Sequence, residues 1–342
     1  MSLLVIRTSS MGDVILTLPV LCSLAKDYPD EEIVFVTKKP FDRFICNVPG
    51  IRIFLSDHHG RHKGIRSVVR VWSDLRKSYK ITAVADLHDV LRSKVLRLLF
   101  FLGGCRVAHI RKGRRDKKAL IKGRIKKPLK HTVERYCDVL ADAGYPVKLI
   151  GGPWLIPSDL SLENIAPVIA KAHGRLIGVA PLAKHLLKTW PEGNMIAFLK
   201  RLKGSVDCTI FLFGSPDESD RIERFVSAVP GTVKIAGNLK MDEEIALISR
   251  LDMMIAMDSS NMHLASAMGI RTVSIWGATH PMAGFSAWGM PEEYQIQIPV
   301  SDLTCRPCTI YGKGECRRGD LACLNWLTPD MVFNKITEIL NN

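Results

Sequence analysis

The sequence predicts an α/β protein with two parallel-sheet domains, and three observations support this class. The chain has 342 residues, which is long for one domain and typical of two. Apolar residues make up 47% of it, enough for two cores, whereas the aromatic share of 7% favours aliphatic α/β packing over a β-sandwich. Apolar strand-like runs alternate with helical patterns in both halves, and this alternation is typical of parallel sheets.

The first half predicts strands and helices in turn. Leu3–Ile6 is a continuous apolar run, as expected for a strand covered on both faces. Asp13–Lys26 has the apolar spacing of one helix, which Pro29 follows. The other predicted elements of this half are strands at Ile33–Thr37 and Ala83–His88 and helices at Val68–Lys80 and Thr132–Gly144.

The composition changes at Gly151–Pro157, which predicts an interdomain linker. Beyond it the alternation restarts, with strands at Leu176–Ala180, Cys208–Phe213, Met253–Ala256 and Thr272–Trp276 and helices at Gly193–Leu202, Asp242–Arg250 and Asn261–Met268. We therefore predict Rossmann-like domains at residues 1–155 and 156–328, with sheets that face one another across a cleft. A helix within residues 329–342 is expected to pack back on the N-terminal domain. Ligands should bind at the carboxyl ends of the strands.

The charge balance predicts an anionic partner. Net charge is +14, from 48 Lys and Arg residues against 34 Asp and Glu residues. Eleven of the basic residues lie in Arg111–Lys130, beside the single acid Asp116. This stretch is either a solvated loop or a basic face that meets a polyanionic acceptor or anionic lipid.

The N-terminus and the longest apolar run favour a soluble, cytoplasmic protein. Leu3–Arg7 lacks the basic lead and the long apolar stretch of a signal peptide. The run Val95–Leu102 is interrupted by Arg97 and is too short to span a bilayer. A peripheral position on an anionic lipid surface is compatible with the basic stretch.

The loop Arg7–Asp13 connects the first strand to the helix that follows it. Small residues let the backbone turn tightly, and free amides at a helix start can meet an anion. Asp13 could take a proton from a sugar hydroxyl, but Ser10 and Asp13 also have the spacing of a capping box, and the spacing alone favours the cap.

Two loops of the second half are candidates for phosphate binding. Lys188 lies in the loop Ala180–Pro191, where a lysine can neutralise phosphate, although an exposed lysine before a helix is an equal alternative. In Asp258–Ala265, small polar residues lead into a helix, so amides, helix dipole and hydroxyls form a diphosphate cradle. Asp258 could also be a helix cap and His263 a core histidine.

Two clusters resemble metal sites. Cys305, Cys308, Cys316 and Cys323 are a zinc hypothesis, but free thiols or a disulfide are the favoured alternatives because the second pair is not a C-x-x-C. His58, His59 and His62 lie in a basic loop that lacks a nearby cysteine or second carboxylate. An exposed loop near the acceptor is the favoured interpretation there.

Taken in order, these motifs resemble the bacterial heptosyltransferases of glycosyltransferase family 9, which transfer heptose from ADP-heptose to the lipopolysaccharide core. Ile6–Pro19 is similar to the family's N-terminal signature, and Lys188–Glu192 to its lysine–x–Trp–Pro loop. Phe213–Glu218 resembles its glycine-containing turn, and Asp258–Ala267 its donor motif, with Ser260 where many relatives have glycine. The resemblance covers nearly the whole chain.

The resemblance implies a GT-B fold, an inverting mechanism and no metal or other cofactor. It makes Asp13 the general base, in preference to a cap, and Lys188 the group that neutralises the donor phosphates. The predicted donor-binding residues are Ser10, Gly12, Thr189, Gly214, Asp258, Ser259, Ser260, Asn261 and His263. The predicted acceptor-binding residues are Ser9, Arg92, Arg111 and Lys112.

Three alternatives remain at this point. A family 9 enzyme could use another nucleotide sugar, since no residue identifies heptose. A nicotinamide oxidoreductase would also use Rossmann units, but no G-x-G-x-x-G follows the first strand. A non-catalytic protein that binds polyanions or nucleic acid would explain the charge, yet no recognisable nucleic-acid module accompanies it. The resemblance implies a nucleotide sugar and an anionic glycolipid as partners, peripheral contact with the inner face of the bacterial inner membrane, and no nucleic acid.

Overall fold

Buried aliphatic strands form the centre of each half of the protein. The computed structural model describes residues 2–57, 60–64 and 67–341 and divides the chain into two compact units. One unit consists of the chain up to Lys112 together with Lys130–Leu155, and the other of Gly113–Leu129 together with the chain from Ile156 onwards. The division at Leu155 coincides with the predicted boundary, but the segment Gly113–Leu129 packs with the second unit.

A parallel sheet of order β3-β2-β1-β4-β5 organises the first unit. Its elements are β1 (Ser2–Ile6), α1 (Met11–Ile15), α2 (Leu18–Asp27), β2 (Glu32–Thr37), β3 (Ile51–Leu55), α3 (Ser67–Ser78), β4 (Ile81–Asp86), α4 (Leu91–Leu102) and β5 (Arg106–His109). The segment that packs with the second unit then contributes α5 (Arg114–Ile121), and α6 (Thr132–Ala143) returns to the first unit. A 3₁₀ turn spans Phe41–Phe44.

The second unit repeats this plan with a parallel sheet of order β11-β10-β9-β6-β7-β8. Its remaining elements are α7 (Asp159–Ile169), β6 (Arg175–Ala180), α8 (Glu192–Ser205), β7 (Cys208–Leu212), α9 (Ser219–Ala228), β8 (Val233–Lys234), α10 (Met241–Ile248), β9 (Met253–Met257), α11 (Ser260–Ala267), β10 (Thr272–Ile275), β11 (Gln295–Ile296), α12 (Ala322–Asn325) and α13 (Pro329–Asn341). Short 3₁₀ turns span Leu186–Lys188, Pro216–Glu218, Pro281–Ala283 and Glu292–Tyr294. The predicted α/β class is confirmed.

The helix predicted over Asp13–Lys26 is two helices. The break falls at Leu16 and Thr17, and Pro19 lies in the first turn of α2. Proline has no N–H, so Pro19 cannot donate to the carbonyl of Ile15, four residues earlier, and the helical hydrogen bonds are interrupted there. The Thr17 hydroxyl donates to the Val14 carbonyl at 2.6 Å, so the break itself is hydrogen-bonded.

The C-terminal helix also differs from expectation. Its apolar face, made of Val332, Ile336, Ile339 and Leu340, is buried in the core of the second unit, where α13 packs against α8. Arg271, at the start of β10, donates to the Ile339 carbonyl at 2.6 Å. The prediction that this helix packs back on the N-terminal domain is therefore wrong, because the second unit covers its apolar stripe.

Candidate active site

The loop between β1 and α1 holds Asp13 in an ion pair. Arg7 is buried, and its Nη2 lies 2.6 Å from Asp13 Oδ2. The same oxygen accepts from the Ser10 hydroxyl at 2.6 Å and from the Ser10 amide at 3.2 Å. The capping box suggested by the spacing is therefore present, and Asp13 also has a cation beside it.

Further contacts with Leu87 and Tyr136 hold this ion pair in place. Arg7 Nη1 donates to the Leu87 carbonyl at 2.6 Å, and its guanidinium lies 5.9 Å from the centre of the Tyr136 ring. The Tyr136 hydroxyl donates to the Asp13 carbonyl at 3.2 Å. Asp13 therefore has a fixed position at the carboxyl end of the sheet, with its side chain 26% exposed.

His88 adds a neutral polar group to this edge, and the sequence analysis did not identify it as functional. It follows β4, as Arg7 follows β1, and its ring nitrogens lie 3.1 Å from Thr8 Oγ1 and 3.3 Å from Ser9 Oγ. Burial, followed by the charges of Arg7 and Lys112, lowers the pKa of His88 to about 4. The imidazole is therefore neutral near pH 7, with one donor and one acceptor nitrogen.

A cavity of about 280 Å³ opens beside His88 within the first unit. Part of its lining is apolar and includes Ile6, Val36 and Leu96. Hydroxyl and cationic side chains complete the lining, among them Thr8, Ser9, Ser56, Ser67, Ser93, Lys38 and Arg92. Apolar walls with a few converging polar groups are typical of a small-molecule site.

The predicted acceptor residues divide around this cavity. Ser9 and Arg92 line it, and Lys112 Nζ donates to the Asp89 carbonyl at 3.1 Å, beside the lining residue Val90. Arg111 is exposed and does not line the cavity. Ser10 and Gly12, predicted to bind the donor, lie in the Asp13 loop of the first unit.

In the second unit, loops after β6, β9 and β10 bring Lys188, Asp258 and Thr279 together. Lys188 Nζ lies 3.0 Å from Asp258 Oδ2, which also accepts from the Thr279 hydroxyl at 2.7 Å. Asp258 is buried, so its carboxylate fixes the lysine head and caps no helix in this arrangement. Trp190, two residues after Lys188, is buried and donates to the Leu324 carbonyl at 3.1 Å, which holds the loop.

The start of α11 offers an anion site. Its N-cap is Ser259, whose side chain makes no capping bond, and the Ser259 hydroxyl is buried without a hydrogen-bond partner. A buried hydroxyl without a partner is costly unless a ligand completes it. Ser260 and Asn261, in the first turn, are partly exposed, and His263 is buried one turn along the helix. The first amides of α11 and the Ser259 hydroxyl therefore suit a bound phosphate.

Two other predicted donor-binding residues, Thr189 and Gly214, have structural roles in the loops that carry the site. The Thr189 hydroxyl is buried and bonds to the backbone of Ala183 at 3.2 Å and of His185 at 3.3 Å, so it closes the Lys188 loop. At Gly214, a Cβ would lie 3.1 Å from the Ile222 side chain, which gives this glycine a packing role after β7.

The sequence analysis missed Gly312, which positions Lys188. Its φ is +77°, and a Cβ there would lie 2.4 Å from Lys188 Cγ, so this left-handed glycine lies directly against the stem of the lysine. Burial, then the charges of Lys188, Lys313 and Lys184, lower the pKa of His185 in the same loop. Burial is the larger cause of this shift, and the contributions of the three lysines show that cations cluster around this loop.

Arg306 is a second missed residue. It is buried, and it donates to the carbonyls of Gly277 at 2.6 Å and Thr279 at 3.0 Å, so it holds the loop that carries Thr279. Burial lowers its pKa to about 10. Its neighbours in sequence, Cys305 and Cys308, would have pointed to it only as part of the supposed zinc cluster.

The basic stretch is anchored on the second unit. Leu120 is buried against Ala283 and Ile310, and the Leu129 amide donates to the Met282 carbonyl at 2.8 Å. Lys117 is buried, with its ammonium 4.2 Å from the centre of the Phe285 ring. The segment Gly113–Leu129 of this stretch therefore packs as part of the second unit. The exposed cations of the whole stretch are Arg111, Arg114, Arg115, Lys118, Lys122, Arg124, Lys126, Lys127 and Lys130.

The described residues of the two suggested metal clusters do not form a metal site. The nine cysteines are free, and no group of three or more His, Cys, Asp or Glu side chains within residues 2–57, 60–64 and 67–341 could hold a metal ion. His62 is buried, with Nε2 3.2 Å from Asp74 Oδ2. This differs from the exposed position expected of its loop, whereas His58 and His59 lie outside the described residues.

No helix among the described residues is long and apolar enough to cross a membrane. The family model described as glycosyltransferase family 9 (heptosyltransferase) matches residues 68–313. That range includes Lys188 and Asp258 but not Asp13.

Proteins similar to this chain include one curated relative and two solved structures. Lipopolysaccharide heptosyltransferase 1 of Pseudomonas aeruginosa is 26% identical over 321 residues, which cover 90% of this chain and 86% of the relative. The glycosyltransferase family 9 structure from Veillonella parvula has a TM-score of 0.77 at 17% identity and covers 99% of this chain and 97% of its own. E. coli heptosyltransferase WaaC with ADP has a TM-score of 0.69 at 19% identity and covers 99% of both chains. The predicted GT-B fold class is confirmed by these likenesses.

Proposed function

Because this chain belongs to glycosyltransferase family 9, we propose that it transfers a heptose from ADP-heptose to a lipopolysaccharide core acceptor. The curated relatives that it matches are named as heptosyltransferases of lipopolysaccharide or lipooligosaccharide. The observation that carries the donor half of the proposal is the buried, unpartnered Ser259 hydroxyl at the uncapped start of α11, next to Lys188. The phosphates of an adenosine diphosphate leaving group would accept hydrogen bonds from this hydroxyl and from the first amides of α11.

Lys188 and α11 act on the donor diphosphate. The lysine head, held by Asp258 at 3.0 Å, neutralises a phosphate oxygen, and the first amides of α11 and the Ser259 hydroxyl donate to the others. Positive charge from these groups stabilises the departing ADP. The proposal therefore needs no metal ion, and transfer should continue in the presence of EDTA.

Asp13 acts on the acceptor hydroxyl. The hydroxyl proton passes to the Asp13 carboxylate while the oxygen attacks the anomeric carbon of the heptose. The carbon–oxygen bond to the β-phosphate breaks on the opposite side, with inversion, and its electron pair leaves with ADP. Arg7 and Ser10 hold the carboxylate at 2.6 Å each, so it is oriented before the acceptor arrives.

The cavity beside His88 binds the acceptor sugar. Neutral His88, with Ser9 and Thr8, offers hydrogen bonds to sugar hydroxyls, and Lys38 and Arg92 on the cavity lining attract an anionic group of the acceptor. The predicted acceptor residues were Ser9, Arg92, Arg111 and Lys112. We assign direct contact with the acceptor to Ser9 and Arg92 of that set, and add Thr8, Lys38 and His88.

The test is a transfer assay with the full chain, ADP-heptose and heptose-free lipopolysaccharide. We expect ADP release that depends on acceptor, together with an acceptor mass increase of one heptose. Thermal-shift measurements with ADP, UDP, GDP, CDP and NADH then identify the nucleotide. If UDP, GDP or CDP stabilises the protein more than ADP does, the donor is a sugar linked to that nucleotide and not ADP-heptose. Absence of acceptor-dependent ADP release in a folded sample that ADP stabilises would contradict heptose transfer to this acceptor.

A further inference from the structure

Helix α4 is apolar on both of its faces. Its inner face, with Ser93, Leu96 and Phe100, is buried in the core of the first unit. Its outer face exposes large side chains: Leu91 at 78%, Val95 at 39%, Leu98 at 54%, Phe101 at 58% and Leu102 at 73%. A surface helix of a globular protein normally carries polar residues opposite its core-facing stripe.

The exposed residues form one stripe. Leu91, Val95, Leu98 and Leu102 are spaced by four, three and four residues, so they lie along one line of the helix surface, and Phe101 borders it. Single exposed apolar residues are common on proteins. A continuous stripe of five on a helix of 12 residues marks an interaction surface instead.

Cations lie at both ends of this stripe. Arg92 and Lys94 are exposed in the first turn of α4, which contains no acidic residue, and Lys94 Nζ lies 3.8 Å from Oδ1 of Asp89, just before the helix. At the other end of the stripe, a Cβ at Gly103, the residue after Leu102, would lie 3.9 Å from Nη1 of Arg76, whose side chain is exposed. Arg97, in the middle of the helix, pairs with Asp86 at 3.1 Å and with Asp89 at 3.6 Å, so these acids balance part of the charge of α4, whereas Arg92 and Arg76 keep the two ends of the stripe basic.

We propose that the outer face of α4 docks this protein on an anionic lipid bilayer. The stripe inserts at the boundary between headgroups and acyl chains, and the cations at its two ends bind anionic headgroups. An apolar helix face flanked by basic residues is the surface that lies in the interface of an anionic membrane. A second copy of the chain fits less well, since a symmetric dimer places the same patch on itself and brings cations of equal sign together.

The position of α4 gives the docking surface a consequence for the cavity. The helix follows β4, so it starts at the carboxyl edge of the sheet, and Val90, Arg92 and Leu96 line the cavity beside Ser9 and His88. A docked α4 therefore holds the mouth of the cavity close to the headgroups, where a lipid-linked acceptor would present its sugars. This consequence depends on the proposed function, whereas the docking itself does not.

The test is co-sedimentation of the full chain with vesicles of phosphatidylglycerol and phosphatidylethanolamine, without donor or acceptor. We expect binding that weakens with salt and is weaker on pure phosphatidylcholine vesicles. The double variant Leu98→Ser/Leu102→Ser should bind about tenfold or more weakly, because each leucine loses the free energy of apolar burial. Both side chains are more than half exposed, so the fold should be retained, which an unchanged Tm checks.

The matched control is Ile156→Ser/Leu160→Ser, which removes apolar side chains that are 62% and 67% exposed in the second unit. It should bind vesicles as the wild type does. Equal losses in the two double variants, or a wild type that leaves anionic vesicles in the supernatant, would overturn the proposal. So would a wild-type dimer that Leu98→Ser/Leu102→Ser converts to monomer. Because no sugar nucleotide is present, failure here leaves the transfer assay unaffected.

Discussion

The two units use the same local plan with opposite polarity. In each, an ion pair lies at the carboxyl end of a parallel sheet: Arg7 with Asp13 in the first unit, and Lys188 with Asp258 in the second. In the first pair the cation side chain is 8% exposed and the carboxylate 26%, whereas in the second the carboxylate is 8% exposed and the cation 17%. The first unit therefore presents an anion, suited to accept a proton, and the second presents a cation, suited to bind phosphate.

The N-termini of the helices beside these ion pairs also differ, since one is already capped by an anion and the other is not. The start of α1 already has a side-chain anion, because Asp13 Oδ2 accepts from the Ser10 amide. The start of α11 has no side-chain cap, and its Ser259 hydroxyl lacks a hydrogen-bond partner. A phosphate can therefore bind the first amides of α11 in the second unit, whereas Asp13 already accepts a hydrogen bond at the start of α1 in the first unit.

The largest expected effect tests the anion of the first unit. Asp13→Asn keeps an oxygen for the Ser10 amide but removes the charge that takes the proton, so turnover should fall about 10²–10⁴-fold while ADP affinity stays unchanged. Steady-state kinetics and calorimetric ADP titration measure the two. Glu218→Gln is the control, since Glu218 closes a capping box with Ser215 in the second unit. Equal turnover in Asp13→Asn and wild type would reduce Asp13 to a cap.

The next effect tests the cation of the second unit. Lys188→Ala removes a charge-assisted contact to phosphate, so ADP should bind about 10–100-fold more weakly. Calorimetric titration measures it, and Lys184→Ala, an exposed lysine of the same loop, is the control with a smaller expected change. If the two variants bind ADP equally, the ion pair with Asp258 has no special part in donor binding.

A smaller effect tests how Lys188 is held. In Gly312→Ala the new methyl group collides with the lysine stem, so ADP affinity should fall about three- to tenfold, an order-of-magnitude expectation from partial loss of the same contact. The control is Gly314→Ala, whose φ of +97° carries the same backbone strain but whose Cβ meets no atom within 4 Å. Equal losses of ADP affinity in the two variants would assign the effect to strain instead of the contact.

What the sequence could predict follows from local order. Asp13 and Lys188 were identifiable because each lies in a short loop beside a periodic strand or helix, and parallel strands bring such loops to one edge. Gly312 was not, since it lies 124 positions beyond Lys188 (312 − 188) and nothing in its neighbours marks a contact with that stem. His88 was missed because Ala83–His88 was predicted as one strand, whereas β4 ends at Asp86 and leaves His88 at the edge.

The break between α1 and α2 and the surface that covers α13 were missed for a related reason. Pro19 lies inside an otherwise continuous helical pattern, and apolar periodicity alone does not locate the break before it. The helical spacing of α13 indicates an apolar stripe, but periodicity does not name the surface that covers a stripe, which here is the core of the second unit. The outer stripe of α4 is the converse case, an apolar pattern that the rest of the described chain leaves exposed.

The smallest expected effect compares the units through pH. His88 in the first unit and His280 in the second both have a pKa lowered to about 4, in each case by burial first and then by a nearby arginine, Arg7 or Arg306. The unfolded chain binds these protons near pH 6.5 and the folded chain does not, so stability is lost as pH falls from about 6.5 towards about 4. In His88→Gln, the fall in Tm between pH 7.5 and pH 5 should be smaller by about 2–4 °C.

Scanning calorimetry measures this difference and sharpens the comparison. If the units unfold in separate transitions, His88→Gln should flatten the pH dependence of one transition and His280→Gln that of the other. The exposed His109 supplies the control, and His109→Gln should keep the wild-type pH dependence. A His88→Gln profile that parallels the wild type would mean that His88 is not held neutral in the fold, and its assignment as a neutral hydrogen-bonding group of the acceptor cavity would then fail.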